Sequence, residues 1–378
     1  MPCYRLLLMS LAVAACAEGR PKATTPDATT PTGWRLELER TIDPAEGSPG
    51  ELGILDAVAI DDDGYVYASQ RTPERILLFG PDGAYLRTIG RQGEGPGDVR
   101  LGYFATFGDT VAIQQTSNSR LSLFRRSGEY LASARTGCCY AVPQLARDSV
   151  GRYWAAGSML VDGFPGWVRL DATLKRIDVI GMVRDRTLQW PPKSWTVPIT
   201  INGRNGAANI QVPLLPRVLQ VPTRAGVIAW GRTDRPTLLL SRDGRDTVRQ
   251  IALPLTPLPM SDGQRDSVVH AAVTRANSSG RFVADWSKVA VATELPADWP
   301  LWHFLASDQQ GRIWVGAPDG RGPLGRVLVY SPDGELLGEP TGAHPRLFDG
   351  YFGKDRVVVP DEDAEGRPII RVYRIITQ

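Results

Sequence analysis

From Leu55 onward the chain alternates apolar and polar residues in bursts of five or six, each ended by a short turn. "LDAVAI", "YVYASQ", "RILLF" and "AYLRTI" follow one another between Leu55 and Ile89. They are separated by Asp61-Asp62-Asp63-Gly64, by Arg71–Glu74 and by the turn at Pro81-Asp82-Gly83. A period of two puts successive side chains on opposite faces of a strand, and turns this short join antiparallel neighbours. In the Pro-Asp-Gly turn, proline presets φ and glycine accepts a positive value. The pattern predicts one twisted sheet of four strands.

The same grammar recurs. Tyr103–Ala134 carries "GDTVAIQQ" and "RLSLFRRSGEYLAS", and Ala141–Gly181 carries "RDSVGRYWAAGS" and "WVRLDATLKRIDVIG". Arg217–Leu253 gives "PTRAGVIAWG" and "TLLLSRDGRDTVRQIAL". Leu301–Glu339 comes close to copying the first unit, with "SDQQGRIWVGA" and "RVLVYSPDGELLGE". Arg346–Ile376 stops one strand short, whereas Trp34–Ile42 ("WRLELERTI") alternates with no partner of its own. Six four-stranded units at this spacing predict an all-β chain folded as a six-bladed β-propeller. Trp34–Ile42 is expected as the outermost strand of the last blade, closing the ring.

The run "DDDGYVYASQRTPERILLFGPDGAYLRTIG" resembles an NHL-type repeat. With "GRQGEGPGD" it is similar to the six-bladed propeller lipoproteins of bacteria in the TolB-like superfamily. The likeness covers residues 34 to 378 and is strongest in the first and fifth units. It implies the fold and export; a propeller also supports enzymes, so the fold alone decides no activity.

The N-terminus agrees with export. "MPCYRLLLMSLAVAACAEG" has a positive start and an apolar run over Leu6–Ala15, too short to span a bilayer. Val13-Ala14-Ala15-Cys16 resembles a lipobox, so residues 1–16 read as a lipoprotein signal peptide with Cys16 as the lipidated residue; the alternative is an ordinary signal peptide cut near the same alanines. Residues 17–33, a Thr/Pro/Ala tract, read as a disordered tether. The expected location is the cell envelope, periplasmic or surface-exposed, with a membrane reached through the lipid. Lys and Arg number 43 against 41 Asp and Glu, interspersed, which leaves no basic stripe for nucleic acid.

Candidate chemistry gathers on one face. The links between blades are unequal, and Met182–Pro216 and Pro254–Pro300 are much the longest. Long loops on a rigid scaffold are where binding concentrates. These two carry Trp190, Trp195, Trp286 and Trp299, read either as an aromatic wall for a small molecule, glycan or protein, or as packing of the insertions onto the blades. Ser261–Asn277 reads as a helix with its N-cap at Ser261 or Asp262 and an apolar face of Val268, Ala272 and Val273. Asp56, Gln144, His303 and Asp349 fall near the starts of four inner strands and are expected to converge at the channel mouth, with His303 titrating near neutral pH. Adjacent Cys138 and Cys139, in the link before the third unit, are expected to form a vicinal disulfide or to remain two thiols.

The chain has three histidines, His270, His303 and His344, too few for the zinc site of the lyases among NHL relatives. A divalent cation held in the channel by Asp56, Gln144 and Asp349 would be lactonase-like, but no motif of that family is intact, and no metal site or cofactor is assigned. The sequence favours a binding module over its alternative, a cation-dependent hydrolase.

Overall fold

A computed structural model describes residues 33–377 except 101, 116–117, 138–140, 190, 202–203, 279–283, 321, 323–324 and 343–345. Its strands form six four-stranded antiparallel sheets, five of them ordered from the channel outward in chain order and the sixth completed by the first strand of the chain. Blade 1 is Leu55–Ile60, Val66–Arg71, Glu74–Phe79 and Tyr85–Ile89; blade 2 is Gly102–Phe107, Thr110–Gln115, Arg120–Arg125 and Tyr130–Arg135. Blade 3 is Ala141–Arg147, Tyr153–Val161, Phe164–Leu170 and Arg176–Gly181; blade 4 is Val218–Pro222, Ile228–Arg232, Thr237–Ser241 and Arg249–Ala252. Blade 5 is Phe304–Ser307, Ile313–Ala317, Arg326–Tyr330 and Leu336–Gly338. Blade 6 is Tyr351–Phe352, Arg356–Glu362 and Pro368–Ile376, completed by Arg35–Ile42 from the other end of the chain.

That closing strand pairs from Arg35 opposite Ile376 to Ile42 opposite Ile370, with an irregularity between Leu38 and Arg40. Beside the irregularity, Glu39 accepts from Arg356 Nε at 2.8 Å, and Arg40 donates to the Gly64 carbonyl of blade 1 at 2.6 Å. The last blade is thereby stitched to the first.

The core is a ring of interfaces between blades. Ile60 and Val66 pack on Val358 and Ile370 between blades 1 and 6, and Ala59 and Tyr67 on Phe104 and Val111 between blades 1 and 2. Ala105 and Ala112 meet Tyr153 and Val168, and Trp154 and Trp167 meet Ile228. Leu238 meets Leu328, and Trp314 meets Leu347 and Val357. The inner strand of blade 1 lies between neighbouring blades, which is why Ala57–Ile60 is buried without interruption while the outer strand Tyr85–Ile89 is buried only at Ile89.

The turn between the first and second strands follows one design in blades 1, 3 and 5. Asp308, buried, accepts from the backbone N–H of Gln310 and Arg312, each at 2.9 Å, and from Trp314 Nε1 at 2.8 Å, and pairs with Arg312. Asp148 takes the same partners from Val150, Arg152 and Trp154. Asp61 takes Asp63, Tyr65 and the Tyr67 hydroxyl, with its arginine, Arg126, supplied by blade 2. Gly64, Gly151 and Gly311 have φ of 88°, 89° and 83°, which the turn requires and a side chain would strain.

Candidate functional site at the channel mouth

The links between blades leave from the face where the inner strands begin. The two longest fold together. Within the first, Ser194–Ile201 and Arg204–Gln211 form a hairpin; within the second, Asp262–Ser278 forms a helix. Ser261 caps that helix reciprocally with Gln264, its Oγ accepting from the Gln264 N–H and its own N–H donating to Gln264 Oε1. Trp195, Val197, Ala208, Val212, Trp286 and Leu295 make a separate apolar core for the pair, with Val268, Ala272 and Val273 packed against it. This cap rests on the ring: Gln264 Nε2 donates to the Gly320 carbonyl of blade 5, and Arg275 lies over the Phe348 ring where blade 6 begins.

The tryptophans serve the cap rather than an open aromatic wall. Trp195 is 3% exposed and its Nε1 donates to Glu294; Trp286 and Trp299 are buried too. Trp190, Cys138 and Cys139 lie outside the described residues. The hairpin was not foreseen, although Asn202-Gly203 between two alternating runs is the usual signal of a two-residue hairpin turn.

Each of the four expected mouth residues has its own neighbour, and among the described residues no hydrogen bond or ion pair joins any two of them. Asp56 is ion-paired with Arg71 from the adjacent strand, close enough to the Tyr103 hydroxyl to raise its pKa further above what burial does. Gln144 Nε2 donates to the Gln220 carbonyl at 3.3 Å, bridging blades 3 and 4. Asp349 lies 3.5 Å from Arg346 Nη2, and burial lifts its carboxyl above the ordinary range while Arg346 and Arg275 oppose the lift. His303 departs furthest from expectation. Its neighbour is Arg217, not a carboxylate, and burial together with that positive charge pushes the imidazole down to about 4. It is therefore neutral at pH 7, and its Nδ1 is buried with no hydrogen-bond partner.

Arg217, which the sequence reading passed over, stands just ahead of the inner strand of blade 4. Its Nη2 donates to the His303 carbonyl at 3.3 Å and no carboxylate pairs with it among the described residues. Asp56 and Asp349 are occupied by arginines, and no group of three or more His, Cys, Asp or Glu among the described residues is placed to hold a metal ion. The donor set does not fit a divalent cation.

At the opposite end the channel is crossed by side chains. Gln309 of blade 5 reaches Thr106 of blade 2, the blade diametrically across, at 2.7 Å, and the Tyr351 hydroxyl of blade 6 at 3.0 Å. Thr106 Oγ1 in turn donates to the Ile60 carbonyl of blade 1 at 2.9 Å. Four blades thus share one polar plug.

No family model and no curated protein matches the sequence. Solved structures do match it in shape. A member of the DUF4221 family from Bacteroides vulgatus is 12% identical, covering 92% of this chain and 99% of that one, with a TM-score of 0.51. A Bacteroides fragilis protein named as exported is 11% identical over 90% and 94%, with a TM-score of 0.45. Virginiamycin B lyase from Staphylococcus aureus is 9% identical over 90% and 99%, with a TM-score of 0.42. The chain is a six-bladed β-propeller. At these identities the likeness carries the fold and nothing of the lyase's chemistry.

Proposed function

We propose that this propeller is an exported binding module, held at a membrane by acyl chains on Cys16, that takes a polar ligand at the capped mouth of its channel. The likeness of its repeats to those of NHL-type propeller lipoproteins in the TolB-like superfamily supports this reading. The observation that carries the reading is the pair of His303 and Arg217: a buried imidazole nitrogen with no partner beside an exposed guanidinium that, among the described residues, bonds to the His303 carbonyl and pairs with no carboxylate. A buried polar atom left open costs on the order of 1–3 kcal/mol, and a ligand that satisfies it recovers that cost. The cap walls the same face, and the plug closes the far end. Neutral His303, with no paired carboxylate and no metal set beside it, supplies a hydrogen bond rather than an acid–base couple.

Melting curves of the wild type and of Arg217→Gln, read across a library of small acids, sugars and short peptides, test the site. Compounds that raise the wild-type Tm should lose that effect in the variant. Equal shifts in both proteins would remove the mouth as the binding site.

A further inference from the structure

A second cleft lies away from the channel, at the outer rim where blades 3 and 4 meet. The last strand of blade 3 runs out through Gly181 into Met182–Arg186, and the turn Asp243-Gly244-Arg245 of blade 4 folds against it. Gly244 permits the approach: with φ of +79°, a Cβ there would lie 3.1 Å from Val183 Cγ2. The tip of the blade 3 hairpin, Val161–Phe164, forms the third side. The cleft, half open to solvent, has a volume of about 550 Å³, within the range of small-molecule sites.

The charges in this cleft are unevenly matched. Arg169 and Asp178 neutralise each other through a two-pronged pair. Asp243 spends its Oδ1 on the backbone N–H groups of Arg245 and Asp246. Among the described residues Arg184, Arg186 and Arg245 make no ion pair; Arg245 lies near enough to Asp243 to help hold its carboxyl low, and with Asp162 opposing them the lining keeps a net positive charge of one. Arg184 lies with its Cζ 3.5 Å from the centroid of the Phe164 ring, so a cationic plane and an aromatic plane are stacked on one wall. Ile180, Met182 and Val183 supply apolar surface beside them.

Unpaired guanidinium forks bind planar acid groups two-pronged, and a stacked aromatic wall with aliphatic floor accepts a flat apolar body. We propose that the cleft between blades 3 and 4 is a second binding site, specific for an aromatic or otherwise flat organic anion. Its lining includes none of Asp56, Gln144, Arg217, His303 and Asp349, although Val183 of the cleft and Gln144 of the mouth both bond to Gln220.

The probe is 8-anilinonaphthalene-1-sulfonate, an aromatic sulfonate, with N-phenyl-1-naphthylamine as its uncharged counterpart. Full-length protein should bind the sulfonate at one saturable site, and the uncharged dye at least about tenfold more weakly. Arg184→Gln/Arg245→Gln should weaken sulfonate binding at least about tenfold with Tm unchanged, because these side chains are exposed. Phe164→Leu, which keeps bulk and removes the ring, should weaken it by a smaller factor. Wild-type affinity in the double variant, or equal affinity for both dyes, overturns the proposal. Loss of binding in Arg217→Gln alone, with the double variant unaffected, places the dye at the mouth; it overturns the cleft and leaves the mouth reading standing.

Discussion

Two residues show how side chains decide what the strand pattern leaves open. Among the described residues Asp308 is the one carboxylate paired with buried Arg312, and it also satisfies two backbone N–H groups and the Trp314 indole. Removing one partner of a buried pair costs roughly 3–5 kcal/mol, because the other charge stays behind uncompensated. Asp308→Ala should therefore lower unfolding free energy by about 3 kcal/mol in a denaturant titration. Asp148→Ala should cost less, because Arg152 is 32% exposed and water can replace the carboxylate. Equal losses would contradict the burial argument. His303 gives a pH dependence. Its folded value of about 4 lies below the unfolded 6.5, so the unfolded chain binds the extra proton between those pH values. Its contribution is full above pH 6.5 and is lost as pH falls towards 4, by at most about 3 kcal/mol. In His303→Gln that slope between pH 7 and pH 4.5 should flatten; an unchanged slope would show that other groups produce it.

At the scale of elements, the closing strand is the clearest case. Arg35–Ile42 hydrogen-bonds along the last strand of blade 6, and its buried Leu36 and Ile42 enter two different interblade cores. Deleting residues 34–42 should expose a strand edge, lower Tm by more than about 10 °C and promote aggregation. Deleting residues 17–33 should leave Tm unchanged; equal melting temperatures for the two truncations would rule out the closure. Strand, turn and helix positions were legible because each rests on local signals: alternation, Pro-Asp-Gly, a Ser-x-x-Gln cap. The cap was half legible. Its helix was expected, but its hairpin and the union of the two insertions were not. That union is made by Trp195 and Trp286, some ninety residues apart in the chain, and no local pattern records which distant element a tryptophan will meet.

For the whole molecule, anchoring is the property to test. Cys16→Ser should move the protein from the membrane fraction to the soluble fraction with its Tm unchanged; equal partition of both proteins would end the lipoprotein reading. The sequence by itself determined the all-β class, six blades, the strand that closes the ring and the face that carries the long links. Each follows from short-range periodicity and turn chemistry repeated six times. Tertiary structure alone decided the partners of the candidate residues. Four residues aligned at the channel mouth by sequence each have a separate partner, because a side chain at a strand start is claimed by whichever neighbour the fold brings to it: Arg71 from the next strand for Asp56, Gln220 from the next blade for Gln144, Arg346 from the same turn for Asp349. The same rule turned His303 from an ionisable group into a neutral one: sequence supplied the imidazole, but only the packing brought Arg217, rather than a carboxylate, to its side.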